Sequence, residues 1–204
     1  MARMAATERR EVLARAALAV IARDGVHAAT TRAIVAEAGM PLASFHYAVA
    51  SRDELMRDVV ELVVSSQGSA AFGTLELDAP DIRTAIRGVF GSNLDILRAD
   101  PARQQAMFEL TQYALRTPAL DGFPDEQYDV YRALAGRLLE AGAVRYRVHW
   151  DVPIPDLAAL AVALSEGATL TWLATRDDGA TERLLDLAAD AIAAHATPLS
   201  EETR

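Results

Sequence analysis

The 204-residue sequence contains no cysteine, which excludes disulfides, thiolate metal sites and a cysteine nucleophile. It contains no lysine either, so all 20 basic residues are arginine. Arginine favours forked, bidentate contacts to phosphate and guanine. No signal peptide is visible, because Arg3, Arg9, Arg10 and Arg15 interrupt the first 22 residues. No apolar run reads as long enough to span a bilayer, and the expectation is a soluble cytoplasmic protein without membrane contact. Internal repeats and low-complexity tracts are absent. Catalytic signatures are missing as well. His27, His46, His149 and His195 are scattered, with no Glu-x-x-His or His-Glu-x-x-His pair. There is no phosphate-binding glycine loop and no nucleophile elbow. Glu109, Glu140 and Glu166 lie in apolar contexts but lack histidine partners. No catalytic residue, cofactor or metal site is therefore expected.

What is present is apolar mass and uneven charge. Hydrophobic residues make up 51% of the chain, enough for a substantial core. The net charge is −9, but residues 1–52 hold seven arginines against Glu8, Glu11, Asp24 and Glu37. That leaves the N-terminal quarter at +3 and the remainder at −12. Phosphate attraction depends on local potential within a Debye length, not on the whole-chain sum.

Helical periodicity predicts an all-α fold of about nine helices. The expected organisation is a three-helix N-terminal domain at 1–50, a helical bundle at 51–198 and a loose tail at 199–204. Thr7 can cap a first helix reaching Asp24, with Leu13, Ala16, Ala17, Val20 and Ile21 inward and Gly25 at its end. Arg9, Arg10 and Arg15 lie on its other faces, as solvated surface or as nonspecific phosphate contacts. A helix from Ser51 is expected to run towards Ser69 and join the two domains without a flexible linker. A loop at 71–80 should follow. Further helices are read at 81–99, 101–116, 125–141, 155–175 and 181–196. Between them, Val144 to Trp150 alternates like a strand, but no partner is evident and an extended loop is expected. The last eight residues read as loose.

The most informative stretch is Thr30 to Leu55, TTRAIVAEAGMPLASFHYAVASRDEL. Thr30 or Thr31 can cap a helix whose buried stripe is Ile34, Val35 and Ala38. Gly39 stands where a helix-turn-helix needs a positive φ. Met40 offers an apolar anchor, and Pro41 suits the first turn of a second helix carrying Leu42 to Val49. Ser51 and Glu54 form a capping box for the next helix. The series Thr31, Arg32, Ile34, Gly39, Met40, Phe45, His46, Tyr47, Ser51, Arg52, Glu54 and Leu55 resembles the DNA-binding segment of the tetracycline-repressor (TetR) family of bacterial regulators. Ala48 and Val49 depart from it, where the family often has His and Phe.

That resemblance implies a ligand-responsive DNA-binding regulator, most simply a repressor that binds a palindromic operator as a homodimer. Family roles carried over by position place Thr31 on a phosphate and Arg32 on a base edge. Pro41, Leu42, Ala43 and Ser44 would face the major groove. His46 and Tyr47 would contact phosphate or thymine, and Arg52 would grip a phosphate at the next helix start. Phe45 is expected in the core. Small residues permit close helix approach, so the dimer face is expected on the helices near 125–141 and 156–175. Its candidates are Tyr128, Leu138, Leu160, Ala161, Leu164, Gly167, Ala168 and Thr171; the alternative is that the small residues among them pack inside one subunit. Effector candidates are Phe90, Asn93, Met107, Phe108, Thr111, Tyr113, Tyr131 and Trp172, a mixture that fits a small, largely apolar molecule. A rival reading is a small-molecule-binding helical protein whose head no longer reads DNA.

Overall fold

The computed structural model describes residues 5–62 and 79–199. It bears out the all-α expectation, with nine α-helices and one pair of short strands among the described residues. They form two compact units that interleave in sequence. The first holds α1 (Ala6–Asp24), α2 (Thr31–Glu37), α3 (Leu42–Ala48), α4 (52–62), α6 (Pro101–Ala114) and the chain onward to Gln127. The second holds α5 (Ile82–Ala99), α7 (Phe123–Tyr146) from Tyr128 onward, α8 (Ile154–Thr175) and α9 (Asp178–Ala193). It also holds β1 (Val148–Trp150) and β2 (Ala196–Pro198). A linear division at residue 50 does not describe these units, because α6 packs against α1.

In the first unit α1 buries Leu13, Ala16, Ala17, Val20 and Ile21, the stripe its periodicity predicts. Its cap differs from expectation: Ala5 precedes the helix without a side-chain bond, and Thr7 lies inside it. Gly25 ends α1 at φ 85°, its N–H donating to Ile21 O at 2.8 Å. Leu55, Met56 and Val59 of α4 and Leu110 of α6 are fully sealed. Arg10 does not belong to a solvated face alone. Its Nε and Nη2 donate to Asp58 at 2.6 and 2.8 Å, and its Nη1 lies 2.7 Å from Glu54. The bonds to Asp58 outweigh burial and push the guanidinium further above its usual range.

In the second unit Ile86, Phe90, Leu94 and Leu97 of α5 share a core with Leu185, Ala188, Ala189 and Ile192 of α9. Leu157, Ala158, Ala168 and Trp172 of α8 complete it. Burying one such large side chain stabilises by roughly 1.5–3 kcal/mol. Beside this core runs a rail of ion pairs. Arg83 meets Asp190 at 2.7 Å and Arg87 meets Asp186 at 2.9 Å and also Glu182. Arg98 meets Asp178 at 2.9 Å and Glu182 at 3.0 Å.

Two expectations need correction here. First, α7 does not stop at Ala141. A Cβ on Gly142 would lie 2.9 Å from Ile82 Cδ1, so the missing side chain allows α5 to approach a continuous helix. Second, residues 148–150 are not a loop. They pair antiparallel with Ala196–Pro198, in the register Val148↔Pro198, His149↔Thr197 and Trp150↔Ala196. The partner lies in a segment that reads as a loose tail, beyond two helices. α8 ends at Thr175, and Asp177 caps the separate α9, accepting from Ala180 N at 2.9 Å. The expected helix beyond 62 and most of the loop at 71–80 lie outside the described residues.

α8 also qualifies the reading of membrane segments. It is a 22-residue helix with a mean hydropathy of 1.5, long and apolar enough to cross a bilayer by length and composition alone. Only 22% of its apolar window is buried in this chain. Its inward side chains nonetheless join the core just described.

Candidate nucleic-acid interface

The reading segment is built by local caps. Thr30 Oγ1 accepts from Ala33 N at 3.2 Å, which makes Thr30 the cap of α2 and Thr31 its first helical residue. Ile34 and Val35 are buried. At the other end Gly39 adopts φ 63°; its N–H donates to Ala36 O at 3.1 Å, and Met40 N donates to Val35 O at 2.8 Å. These two bonds make a Schellman stop, which needs a left-handed residue at that position. Pro41, at φ −63° and ψ 148°, is the cap of α3 and not its first helical residue.

α3 then divides cleanly into an inner and an outer side. Phe45 and the C-cap Val49 are sealed, so the valine fills the position beneath the helix. Pro41, Leu42, Ala43, His46 and Tyr47 are exposed, Leu42 by 45% and Tyr47 by 78%, while Ser44 is half-buried. Arg32 on α2 is exposed too. The side chains of Arg32, Ser44 and Tyr47 have no hydrogen-bond or ionic partner among the described residues. His46 makes an edge contact with Phe45, with ring centroids 5.7 Å apart. A cation left outward on α2, with a phenol and apolar groups outward on α3, suits phosphate, base edges and thymine methyls.

The next helix start is a variant of the expected capping box. Ser51 Oγ accepts from Glu54 N at 3.0 Å, while Glu54 Oε2 accepts from Ala50 N at 2.7 Å instead of from Ser51. The bond from Ala50, with Arg10 beside it, holds the Glu54 carboxyl below its usual range.

Arg52 departs from its expected role. Its Nε donates to Ala29 O at 2.6 Å, its Nη2 to Val26 O at 2.6 Å and its Nη1 to Tyr113 Oη at 2.8 Å. The fork is turned into the protein; Val26 O accepts from Ala29 N at 3.3 Å as well as from Arg52. Tyr113 is thereby removed from the effector candidates as a free group. It also carries the Arg52 guanidinium 5.0 Å from its ring centroid and the edge of His27 at 5.7 Å. Sequence reasoning missed Glu109 here, noting it only as an isolated carboxylate. Its Oε2 accepts from Val26 N at 3.1 Å. The available signal was its spacing of one helical turn from Tyr113.

The remaining effector candidates divide between the units. Met107, Phe108 and Thr111 lie in the first; Phe90, Asn93, Tyr131 and Trp172 lie in the second. Thr111 is already satisfied, its Oγ1 3.0 Å from both Met107 O and the side-chain oxygen of Gln127. Trp172 donates from Nε1 to Asp178 at 2.8 Å and stacks under Arg176 at 4.4 Å. The second unit holds an apolar cavity of about 60 Å³ lined by Ile82, Ile86, Val89, Phe90, Leu138 and Ala161. Of the candidates it takes in only Phe90, and it is far below the roughly 300–1,000 Å³ of typical ligand sites.

The dimer candidates are also sorted by the structure. Ala168 is core, and Leu160, Ala161 and Leu164 pack against that core, because the buried stripe of α8 is rotated towards them. Gly167 and Thr171 face outward with Ala159, Ala163, Leu170 and Ala174. Leu138 is half-buried in the cavity wall. Tyr128 is half-buried and donates its hydroxyl to Glu166.

Comparison with known proteins agrees with this geometry. Residues 13–59 match the model of bacterial regulatory proteins of the tetR family. The chain is similar to the HTH-type nicotine-responsive transcriptional repressor HdnoR of Paenarthrobacter nicotinovorans, at 28% identity over 93% of this chain and 96% of that protein. Its fold resembles a transcriptional regulator from Rhodococcus sp. Rha1, with a TM-score of 0.73 and 19% identity over 94% of this chain and 99% of the other. A TetR transcription regulator from Haloarcula marismortui gives a TM-score of 0.73 at 15% identity, over 94% of this chain and all (100%) of its own.

Proposed function

This chain belongs to the tetR family of bacterial regulatory proteins, and on that premise we propose that it is a cytoplasmic repressor released from DNA by a small molecule. It is a DNA-binding transcriptional regulator. The observation that carries the reading is the two-sided α3, with Phe45 and Val49 sealed beneath and Leu42, Ala43, His46 and Tyr47 left bare. Thr31, Arg32, Pro41 and Ser44 complete the reading set. A helix of seven residues covers few base pairs, so two copies act together on a palindrome. We assign the dimer face to the bare stripe of α8, from Ala159 through Gly167 and Leu170 to Ala174. Its small side chains allow a second helix to approach closely, and its apolar length is left largely uncovered by the described residues.

The effector is proposed to be small and largely apolar, with one basic nitrogen. HdnoR is nicotine-responsive by name. In this chain Glu166 is bonded by the Tyr128 hydroxyl and carries no ion pair among the described residues, with Tyr131 edge-on to Tyr128 at 5.8 Å. Burial raises the Glu166 carboxyl above its usual range. A carboxylate so placed gains from a cationic partner. Ligand binding would favour a conformation in which the two heads no longer fit successive major grooves, a population shift driven by differential affinity.

The test is a mobility-shift assay on DNA upstream of the chain's own coding region, with nicotine as the first probe and sedimentation to count subunits. A specific dimeric shift, reversed by small amines, is expected. Ligand binding with no specific shift would remove the regulatory reading.

A further inference from the structure

We propose that Arg52, Tyr113 and Glu109 are positioning residues for DNA reading, forming a clamp that closes the reading segment on itself, and that Arg52 acts there and not on a phosphate. The inference rests on the DNA-binding reading above. The whole reading segment lies between Ala29 and Arg52, and the bond from Arg52 Nε to Ala29 O joins its two ends at 2.6 Å. Residues 30–51 are thus a loop with a fixed neck. The backbone of Val26, just before the neck, is held through both its N–H and its carbonyl. Its N–H donates to Glu109 at 3.1 Å and its carbonyl accepts from Arg52 at 2.6 Å. Tyr113 completes the clamp by accepting from Arg52 at 2.8 Å.

The chemistry of each member fits that task. Three acceptors in fixed, divergent directions match the rigid fork of a guanidinium and not the single ammonium of lysine. The acceptors are neutral, and the nearest carboxylate, on Asp53, lies at 3.8 Å, so geometry and not charge neutralisation selects this arrangement. Glu109 and Tyr113 are four residues apart and share one face of α6. Gly25 marks the tightness of the fit: a Cβ there would sit 3.2 Å from Glu109 Oε2 at φ 85°. From Ala29 the chain passes through the Thr30 cap straight into α2. From Arg52 it enters α4. Any slack at the neck therefore changes the attitude of α2 and α3 together.

The experiment measures operator affinity against salt for the full chain and for Arg52→Lys, Arg52→Ala, Tyr113→Phe and the Arg52→Lys/Tyr113→Phe double variant, on an operator selected from random duplexes. The clamp predicts that each single change weakens specific binding by about tenfold, with an unchanged slope of log K against log salt. The double variant should bind little worse than either single one, because both break one unit. In wild type, operator binding should slow hydrogen exchange at the Val26 amide, and Glu109→Gln should abolish that slowing. Two outcomes overturn the proposal. A phosphate-gripping Arg52 would leave Arg52→Lys and Tyr113→Phe near wild type and Arg52→Ala with a salt slope reduced by about one unit. A merely structural clamp would lower the melting temperature of Tyr113→Phe yet leave operator affinity intact well below melting. Failure of the underlying reading is separate, since wild type would then select no operator at all.

Discussion

In the first unit Arg52 directs its fork at two backbone carbonyls and a phenol; in the second, Arg83, Arg87 and Arg98 face carboxylates along α5 and α9. One arginine fixes the path of a peptide chain, and the loss of its bond to Ala29 O leaves that carbonyl without a partner among the described residues. The other three line a partly exposed seam whose helices are already joined by Phe90, Leu94, Leu185 and Ile192. Exposed pairs contribute little individually, because solvent screens them and their long side chains lose entropy. The same residue type therefore shapes one unit and merely trims the other.

The largest effect should come from removing what lies beneath the reading helix. Phe45→Ala should cost about 3–5 kcal/mol of stability in the first unit, read by thermal or urea unfolding. A cost below ~1 kcal/mol would mean that α3 is not seated as described. Next, Arg32→Ala should leave stability alone but weaken operator binding by about 1–3 kcal/mol and relax preference at one base pair per half-site. Binding curves on matched and single-mismatch operators would expose an error, since equal curves remove Arg32 from the reading set. Smaller still, Arg83→Ala should lower the melting temperature only slightly, and less in high salt. A larger, salt-independent loss would erase the contrast between the seam and the clamp.

The smallest effect concerns Glu166. Its folded carboxyl is raised by burial, so its contribution to stability is fully present below the unfolded value. That contribution is lost as pH rises through the raised folded value. Glu166→Gln should flatten the fall in melting temperature just above the ordinary carboxylate range. It should also discriminate against amine ligands while sparing neutral apolar ones. A wild-type pH profile in that range would show the carboxyl to be ordinary.

Local chemistry explains which features were legible in the sequence. The Schellman stop at Gly39, the Ser51 cap and the inner stripe of α1 each depend on neighbours within a few residues, so pattern alone could find them. The bonds of Arg52 were not legible, because its three acceptors come from Val26, Ala29 and Tyr113, and aligned position speaks only of its neighbours. Gly142 reads as a stop until Ile82 is brought against it. On α8 nearly every position is small or apolar, so periodicity could not separate the inward Ala168 from the outward Gly167.

The pairing of residues 148–150 with 196–198 has a kinetic consequence. These strands can meet only after the intervening helical hairpin has formed, since closing so long a loop early is entropically unfavourable. Trp150, whose indole donates to Leu139 O at 3.2 Å, sits on this clasp. In a Trp172→Phe background its fluorescence becomes a stopwatch for the slowest stage of refolding, lagging behind the ellipticity signal of the helices.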